Sequence, residues 1–386
     1  MKVALSGVGH RSVQVLTSLK RAMPGLEVVG YFDPAPAYLN RLDTEPPGFE
    51  SVATMVRETK PDLLVVGSPN DAHLDQIRVG LDAGVRVFSE KPLVASMDQT
   101  WAMADLLRQH GPDRVLVGLV LRYAPQTTDL RAAIAKGRLG RIVSIEANEH
   151  VSPGHGAFFM RDWRRYSARS GGVMLEKACH DIDLYNWIVG ARPVSVASFG
   201  GRASFVPENE PDDLGSILSF TKQPTGAPPS NPFTTQGDII DHQTALIAFE
   251  NGVSMAFHLS LNAPDEQRRY GIFGTHGMAV GDFHGGYLQI TGRDETPPGE
   301  SFAYEGGDPE SGHYGADMRM AEAVAAHLRG EGADLPVSSI DALVAGAVCL
   351  ALDEARLSGR MVDLSETWAR LDGYFSPPGS GGRPHS

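Results

Sequence analysis

The chain reads as an α/β fold in two parts: a doubly wound parallel sheet, then an α/β domain on a large, open-faced, mostly antiparallel sheet. Three observations predict this. Apolar strand runs alternate with amphipathic helix patterns through the first third of the 386 residues, as a parallel sheet with crossover helices requires. A glycine-rich turn, Gly7-Val8-Gly9-His10-Arg11-Ser12, joins the first strand to the first helix. Beyond Arg122-Tyr123 the runs become β-rich and several alternate apolar with polar residues, the pattern of a sheet packed on one face. The expected parts are 1–121, 122–375 and a disordered tail, 376–386, whose sequence lacks apolar content.

The elements follow in order. Val3 to Leu5 is a strand, the turn leads into an amphipathic helix, and Val28 to Phe32 is a second strand ending in Asp33. Glycines at 7 and 9 let the backbone approach a pyrophosphate, and the helix N-terminus behind them offers unpaired amides to it. Ser12 replaces the usual third glycine with another small residue. Asp33 is placed to accept from a ribose 2′-OH, which favours NAD over NADP. Short helices are expected near Ala35–Leu42 and Ser51–Glu58, and Leu63–Gly67 reads as a strand buried on both faces. Pro69-Asn70-Asp71-Ala72-His73 opens a helix that Gly84 ends. Val85–Ser89, a helix over Met97–His110 and a strand at Val115–Leu119 complete the first part.

In the second part a helix over Gln126–Lys136 precedes β-rich runs at Ile142–His150, Val194–Ser204, Thr244–Glu250, Val253–Leu261 and Tyr270–Gly274. The Pro/Gly/Thr-rich stretch Pro207 to Gly237 reads as a long loop or insertion near the sheet edge. Asp317–Arg329 and Ile340–Ser358 read as late helices packing back on the body.

A net charge of −13 argues against nucleic acid and against an anionic membrane surface. No apolar run approaches ~20 residues, so no transmembrane helix is expected. Met1-Lys2 leads straight into the first strand, which predicts no signal peptide. Cys179 and Cys349 are the only cysteines, which fits a reducing cytoplasm.

Two segments carry chemistry besides the glycine turn. Glu90-Lys91-Pro92 follows a strand directly, so Lys91 belongs at the mouth of the crevice above the strand ends, with Pro92 restricting its backbone. The second segment runs from Gly171-Gly172 through Glu176, Lys177, His180 and Asp183 to Trp187. Helical spacing puts Glu176 and His180 on one face with Asp183 nearby. Carboxylates flanking an imidazole fix its tautomer and suit it to acid–base work. Glu176, His180 and Asp183 could also ligate a cation, but one histidine beside Lys177 is a poor zinc set, and no metal is expected.

With these pieces in place, the chain resembles the Gfo/Idh/MocA family of NAD(P)-dependent oxidoreductases. The resemblance rests on the Gly7/Gly9/Ser12 turn, Pro69-Asn70 with His73, Glu90-Lys91-Pro92, and Gly171-Gly172 followed by His180 and Asp183. It extends to Ile340–Leu364 as late helix and closing strand, and so covers roughly residues 1–365. It implies a Rossmann domain joined to an open-sheet domain, with the active site between them. By the same resemblance Lys91 matches the catalytic lysine and His180 the histidine, while Glu176 stands where aspartate is common. Gly7, Gly9, His10, Arg11, Ser12, Asp33, Pro69, Asn70, His73 and Glu90-Lys91-Pro92 would bind the cofactor. Arg122, Tyr123, Asp162, Trp163, Arg164, Lys177, Asp183 and His313 would face the substrate.

The expected reaction is reversible hydride transfer between NAD and a secondary alcohol of a sugar, cyclitol or sugar-derived acid. His180 or Lys91 would take the hydroxyl proton. The alternatives are an NAD-dependent glycoside hydrolase or lyase working through transient sugar oxidation, a non-catalytic NAD-bound sensor, and a metal-dependent aldolase or isomerase. The expected partners are a small polyol or carbohydrate and, because an open apolar sheet face needs cover, further copies of the chain in a homodimer or homotetramer.

Overall fold

The computed structural model describes residues 1–218, 230–304, 312–332 and 334–375; the expected tail and part of the 207–237 loop lie outside the described residues. The N-terminal strands are β1 (Lys2–Ser6), β2 (Glu27–Phe32), β3 (Leu63–Val66), β4 (Arg86–Ser89) and β5 (Val115–Val117). Helices α1 (His10–Ala22), α2 (Val52–Thr59), α3 (His73–Asp82) and α4 (Met97–His110) connect them. All four pairings are parallel, in the order β2-β1-β3-β4-β5. The chain therefore leaves β1 in one direction and resumes at β3 in the other, which opens a crevice at their C-terminal ends. Every residue of β3 is buried, which an unbroken Leu-Leu-Val-Val run needs when helices cover both faces.

The helix expected over Ala35–Leu42 is reduced to a single 3₁₀ turn, Leu39–Arg41. Pro34 and Pro36 remove the backbone donors a longer helix would use.

The second sheet contains β6 (Ile142–His150), β7 (Pro193–Gly201), β8 (His242–Phe249), β9 (Ser254–Ser260), β10 (Arg269–Gly274), β11 (Gly277–Asp282), β12 (Tyr287–Gly292), β13 (Glu300–Ala303) and β14 (Val362–Asp363). Its order is β13-β12-β11-β10-β6-β9-β8-β7-β14, antiparallel except where β6 meets β9. Strands β11 to β13 go beyond the sequence reading: glycines at 277, 281, 285, 286 and 292 within and between β11 and β12 mimic turns, and β13 is only four residues long.

Eight helices among the described residues accompany this sheet: α5 (Pro125–Ala135), α6 (Pro153–Phe159), α7 (Ser167–Ser170), α8 (Val173–Val189), α9 (Gly215–Leu218), α10 (Ala316–Arg329), α11 (Ser339–Ser358) and α12 (Ser365–Phe375). Helix α11 packs on α8, β7 and α4, while α10 packs on α1, so the late helices do return to the first part. Along β8 and β9 buried and exposed residues alternate strictly through most of each strand. On the outward face Phe199 is 70% and Leu246 55% exposed. The described flanks of the 207–237 loop are anchored rather than loose: Phe205 and Phe233 are buried ring to ring at 5.2 Å, and Asp241 accepts the amides of Ala203, Ser204 and Phe205. No helix among the described residues is long and apolar enough to cross a membrane.

Candidate active site

The crevice begins at the β1–α1 turn. Gly7 has φ +90°, and a Cβ there would meet the Gly67 and Ser68 backbone at 2.7 Å, so a side chain is excluded twice over. A Cβ on Gly9 would meet nothing within 4 Å. Gly9 is also the N-cap of α1, with no capping side chain and no acid in the first turn. Ser51 and Ser96, by contrast, accept amides at the starts of α2 and α4. Helix α1 thus keeps its orphan amides and open space in front of them, which suits an anion. Ser12 stands in for the third glycine because its hydroxyl faces Gly67 O at 3.4 Å, where the opposite residue has no side chain. Asp33 accepts one amide on each oxygen, from Val8 at 2.7 Å and Ala35 at 2.7 Å, and keeps lone pairs for a diol. These residues fit an NAD molecule laid across the strand ends.

Other cofactor candidates act on the protein itself. Arg11 is committed to acidic protein partners rather than left free for a phosphate. Its Nε donates to Glu90 at 3.0 Å and its Nη1 and Nη2 lie 2.8 Å from the two Asp317 oxygens. His73 is buried between Pro92 O at 2.8 Å and Ser68 O at 2.9 Å, pinning the Lys91-Pro92 loop. His10 is exposed and meets the Tyr38 ring edge-on at 5.5 Å. Pro69 starts the 3₁₀ turn that carries Asn70.

Helix α8 brings the second segment to this loop. Lys91 Nζ donates to the main-chain carbonyl of Glu176 at 2.6 Å. The Glu176 carboxylate accepts from Asn70 Nδ2 at 2.6 Å and from Arg164 Nε at 2.9 Å. Burial pushes this carboxyl up, but Lys91, Arg164 and Asn70 outweigh it and hold it below the ordinary range. Arg164 in turn lies over the Phe158 and Trp163 rings at 4.0 and 4.2 Å. His180, one turn further along α8, is buried and has its pKa driven well below 6.5 by burial, Lys91 and His313. It is therefore neutral at pH 7, with Nδ1 left without a partner.

The expected carboxylate flank of His180 is not what forms. His180 Nδ1 has no hydrogen-bond partner, and the groups that lower it beside burial are Lys91, His313, Arg268 and Lys177, with no carboxylate among them. The reason lies in the pairing of the neighbouring acids. Asp183 is held bidentately by Arg122 at 2.9 and 2.6 Å, and both side chains are buried. Arg122 and Asp183 thus satisfy each other inside the fold instead of facing a substrate, and Tyr123 beside them is buried too. Lys177 is 2.7 Å from Glu149, which meets Arg268 at 2.7 Å; Arg268 donates to Asp181 at 2.8 and 2.7 Å. Asp162 is exposed with φ +53° and Trp163 half-buried beneath Arg164. His313 reaches the site, its ring 5.6 Å from that of His180.

Glu149, Arg268, Asp181, Asp317 and Tyr314 belong to this constellation and were not singled out from the sequence. One signal was available: Glu149 occupies an inward position of β6 between Ile145 and Val151, where an apolar residue is the default. No comparable mark distinguishes Asp317.

Comparison with known proteins agrees with the crevice geometry. Residues 1–119 match the model of the oxidoreductase family with an NAD-binding Rossmann fold, and residues 127–280 match the GFO/IDH/MocA C-terminal domain.

The chain belongs to the Gfo/Idh/MocA family.

A scyllo-inositol 2-dehydrogenase (NAD(+)) of Bacillus subtilis (strain 168) is 22% identical over 281 residues, 72% of each chain. The myo-inositol dehydrogenase Hyg17 of Streptomyces leeuwenhoekii is 31% identical over 162 residues, 42% of this chain and 47% of that one. A Bacillus subtilis (strain 168) protein named as an oxidoreductase, YteT, is 25% identical over 269 residues; the match spans 62% of its length and 60% of this chain. Among solved structures, levoglucosan dehydrogenase in complex with NADH and levoglucosan superposes with TM-score 0.75 at 16% identity, covering 95% of this chain and 99% of that one. At that identity the likeness is one of fold. As a Gfo/Idh/MocA member the chain has the NAD-binding Rossmann part at 1–119, the stretch that carries Gly7, Gly9 and Asp33.

Proposed function

We propose that the chain is an NAD-dependent dehydrogenase acting on a secondary alcohol of a sugar, cyclitol or sugar-derived acid. The observation that carries this reading is the meeting of Lys91 and the His180 helix: Lys91 Nζ bonds to Glu176 O at 2.6 Å, four residues before His180. Bound NAD would supply a hydride acceptor above the strand ends. Asp33 and the α1 amides would hold its adenosine and pyrophosphate portions.

The chain's own residues divide the remaining work. Lys91 would donate a hydrogen bond to the substrate oxygen and stabilise negative charge as it develops. His180, neutral in its buried setting, would take the hydroxyl proton. Glu176, held by Asn70 and Arg164, would fix the first turn of α8 and balance the Lys91 charge. Relatives named for inositols and a structural neighbour holding levoglucosan favour polyols as the substrate class.

The exposed Phe199 and Leu246 support burial of the open sheet face against a second copy of the chain. A screen of sugars, cyclitols and sugar acids for NADH formation tests the activity. Loss of turnover in both Lys91→Ala and His180→Ala, with NAD binding retained, is the expected result. Retained turnover in both would discard the assignment.

A further inference from the structure

We propose that His313 carries the proton released at His180 out to solvent, held for that role by Asp317 and Arg11. The inference rests on the reading of His180 as the group that takes the hydroxyl proton.

The segment 312–315 has four consecutive residues with positive φ: Gly312 φ +57°, His313 φ +41°, Tyr314 φ +60° and Gly315 φ +81°. Two of them bear side chains that ordinarily avoid this region. Such a backbone persists only where its surroundings over-determine it. Those surroundings are polar and specific. His313 Nδ1 lies 3.1 Å from Asp317 Oδ2, a carboxylate with a fully buried side chain, and 3.5 Å from Arg11 Nη1. Arg11 Nη2 holds the other Asp317 oxygen at 2.8 Å. Tyr314 OH meets His284 Nε2 at 2.9 Å.

The effect is to hold one imidazole beside another. An Nδ1 facing a carboxylate carries the hydrogen, which leaves Nε2 of His313 as the accepting atom. The two ring centres lie 5.6 Å apart with the planes tilted by 49°, so the two imidazoles are direct neighbours. His180 is 5% exposed with an unpartnered Nδ1, whereas the His313 side chain is 30% exposed. His313 therefore lies on the way out.

The charges around both rings suit brief rather than lasting protonation. His180 is faced by Lys91, Lys177, Arg268 and His313; His313 is faced by Arg11 and Arg268, with Asp317 as its carboxylate. In the transfer an N–H bond breaks on His180 as one forms on Nε2 of His313, and that proton then leaves to bulk water. The two electrons leave the substrate as hydride to NAD, so only the proton uses this route.

The test uses His313→Ala and His313→Gln in the full chain, with the alcohol that the screen yields and with NMR titration of His180. If the relay operates, kcat falls about tenfold to a hundredfold while NAD affinity holds. Added imidazole then restores His313→Ala in a concentration-dependent way, and the pH profile becomes buffer-dependent. The His180 titration also moves upward, because a neighbouring lowering charge is gone. Unchanged kcat overturns the proposal. So does a loss of kcat that imidazole does not restore and that comes with weakened NAD binding, because His313 would then only brace Arg11. His180→Ala separates the two readings: full turnover there removes the parent assignment, whereas an inactive His180→Ala beside a normal His313→Ala removes the relay alone.

Discussion

Lys91 Nζ bonds to the main-chain carbonyl of Glu176, at 2.6 Å, while the carboxylate of the same residue is held by Asn70 and Arg164. A main-chain acceptor cannot titrate, so this contact does not depend on the ionisation of a carboxylate. The carboxylate adds charge balance without competing for the same hydrogen.

Glu176→Gln should therefore be tolerated by the fold but not by the site. The amide can still accept from Asn70 or Arg164, yet the negative charge beside Lys91 is gone. We expect kcat to fall about tenfold or more with little change in NAD affinity. Steady-state kinetics beside a fluorescence titration with NAD separates the two. A matched loss in NAD affinity would place Glu176 at the cofactor instead.

Asp33 has both oxygens committed to backbone amides, of Val8 and Ala35. A carboxylate so fixed repels a 2′-phosphate at the tip of β2. Asp33→Ala should weaken NAD and narrow its margin over NADP by about 1–3 kcal/mol. The ratio of kcat/KM for the two nucleotides reads this directly. An unchanged ratio would remove the ribose contact.

Arg268 joins Glu149 and Asp181 with side chains almost wholly buried. Burial pushes the Glu149 carboxyl up, but Arg268 and Lys177 prevail and hold it below its ordinary range. Arg268→Met leaves two acids facing each other without their shared cation. The expected cost is about 3–5 kcal/mol, seen as a drop in the urea midpoint. A stability change under about 1 kcal/mol would mean the network relaxes onto Lys177 or water.

Much of this was legible in the sequence where chemistry and local geometry coincide. The Gly7–Asp33 unit and Glu90-Lys91-Pro92 depend on short-range rules, and the structure keeps them within one crevice. What could not be read was which acid pairs with which base. Asp183 and His180 share a helix, yet Asp183 turns to Arg122, 61 residues away in the chain, and Asp181 to Arg268, 87 residues away. Burial forces every charge on α8 to find a partner, and helical spacing says nothing about partners on other elements. Strands β11 to β13 escaped for a different reason: glycines 277, 281, 285 and 286 read as turns around β11 and β12, and β13 is only four residues long.

Phe199 and Leu246 lie on adjacent antiparallel strands, with Leu246 paired to Ala197 two residues from Phe199. Both side chains stand on the outward face, 70% and 55% exposed. If this face meets a second copy, one charge there is duplicated by symmetry. Phe199→Glu should shift the solution mass toward the monomer, measured by light scattering after gel filtration. An unchanged mass would move the interface elsewhere or leave the chain alone.

The buried histidines set the acid limit of stability. Burial lowers His73 and His180 below the ordinary 6.5, and it brings His155 down to about 4, with Lys177 acting in the same direction. Between these folded values and 6.5 the unfolded chain binds protons that the folded chain refuses. Stability is thus fully present above pH 6.5 and is lost as pH falls toward each folded value. The loss begins before ordinary carboxylates titrate. Glu266, which His155 and Ser152 hold well below its usual range, adds its own loss only at lower pH. Urea midpoints measured from pH 7.5 to 4.5 should decline across this window, and His155→Gln should flatten the decline. A midpoint independent of pH down to 5 would mean that the folded chain binds protons on these rings as readily as the unfolded chain does, and that burial does not lower them.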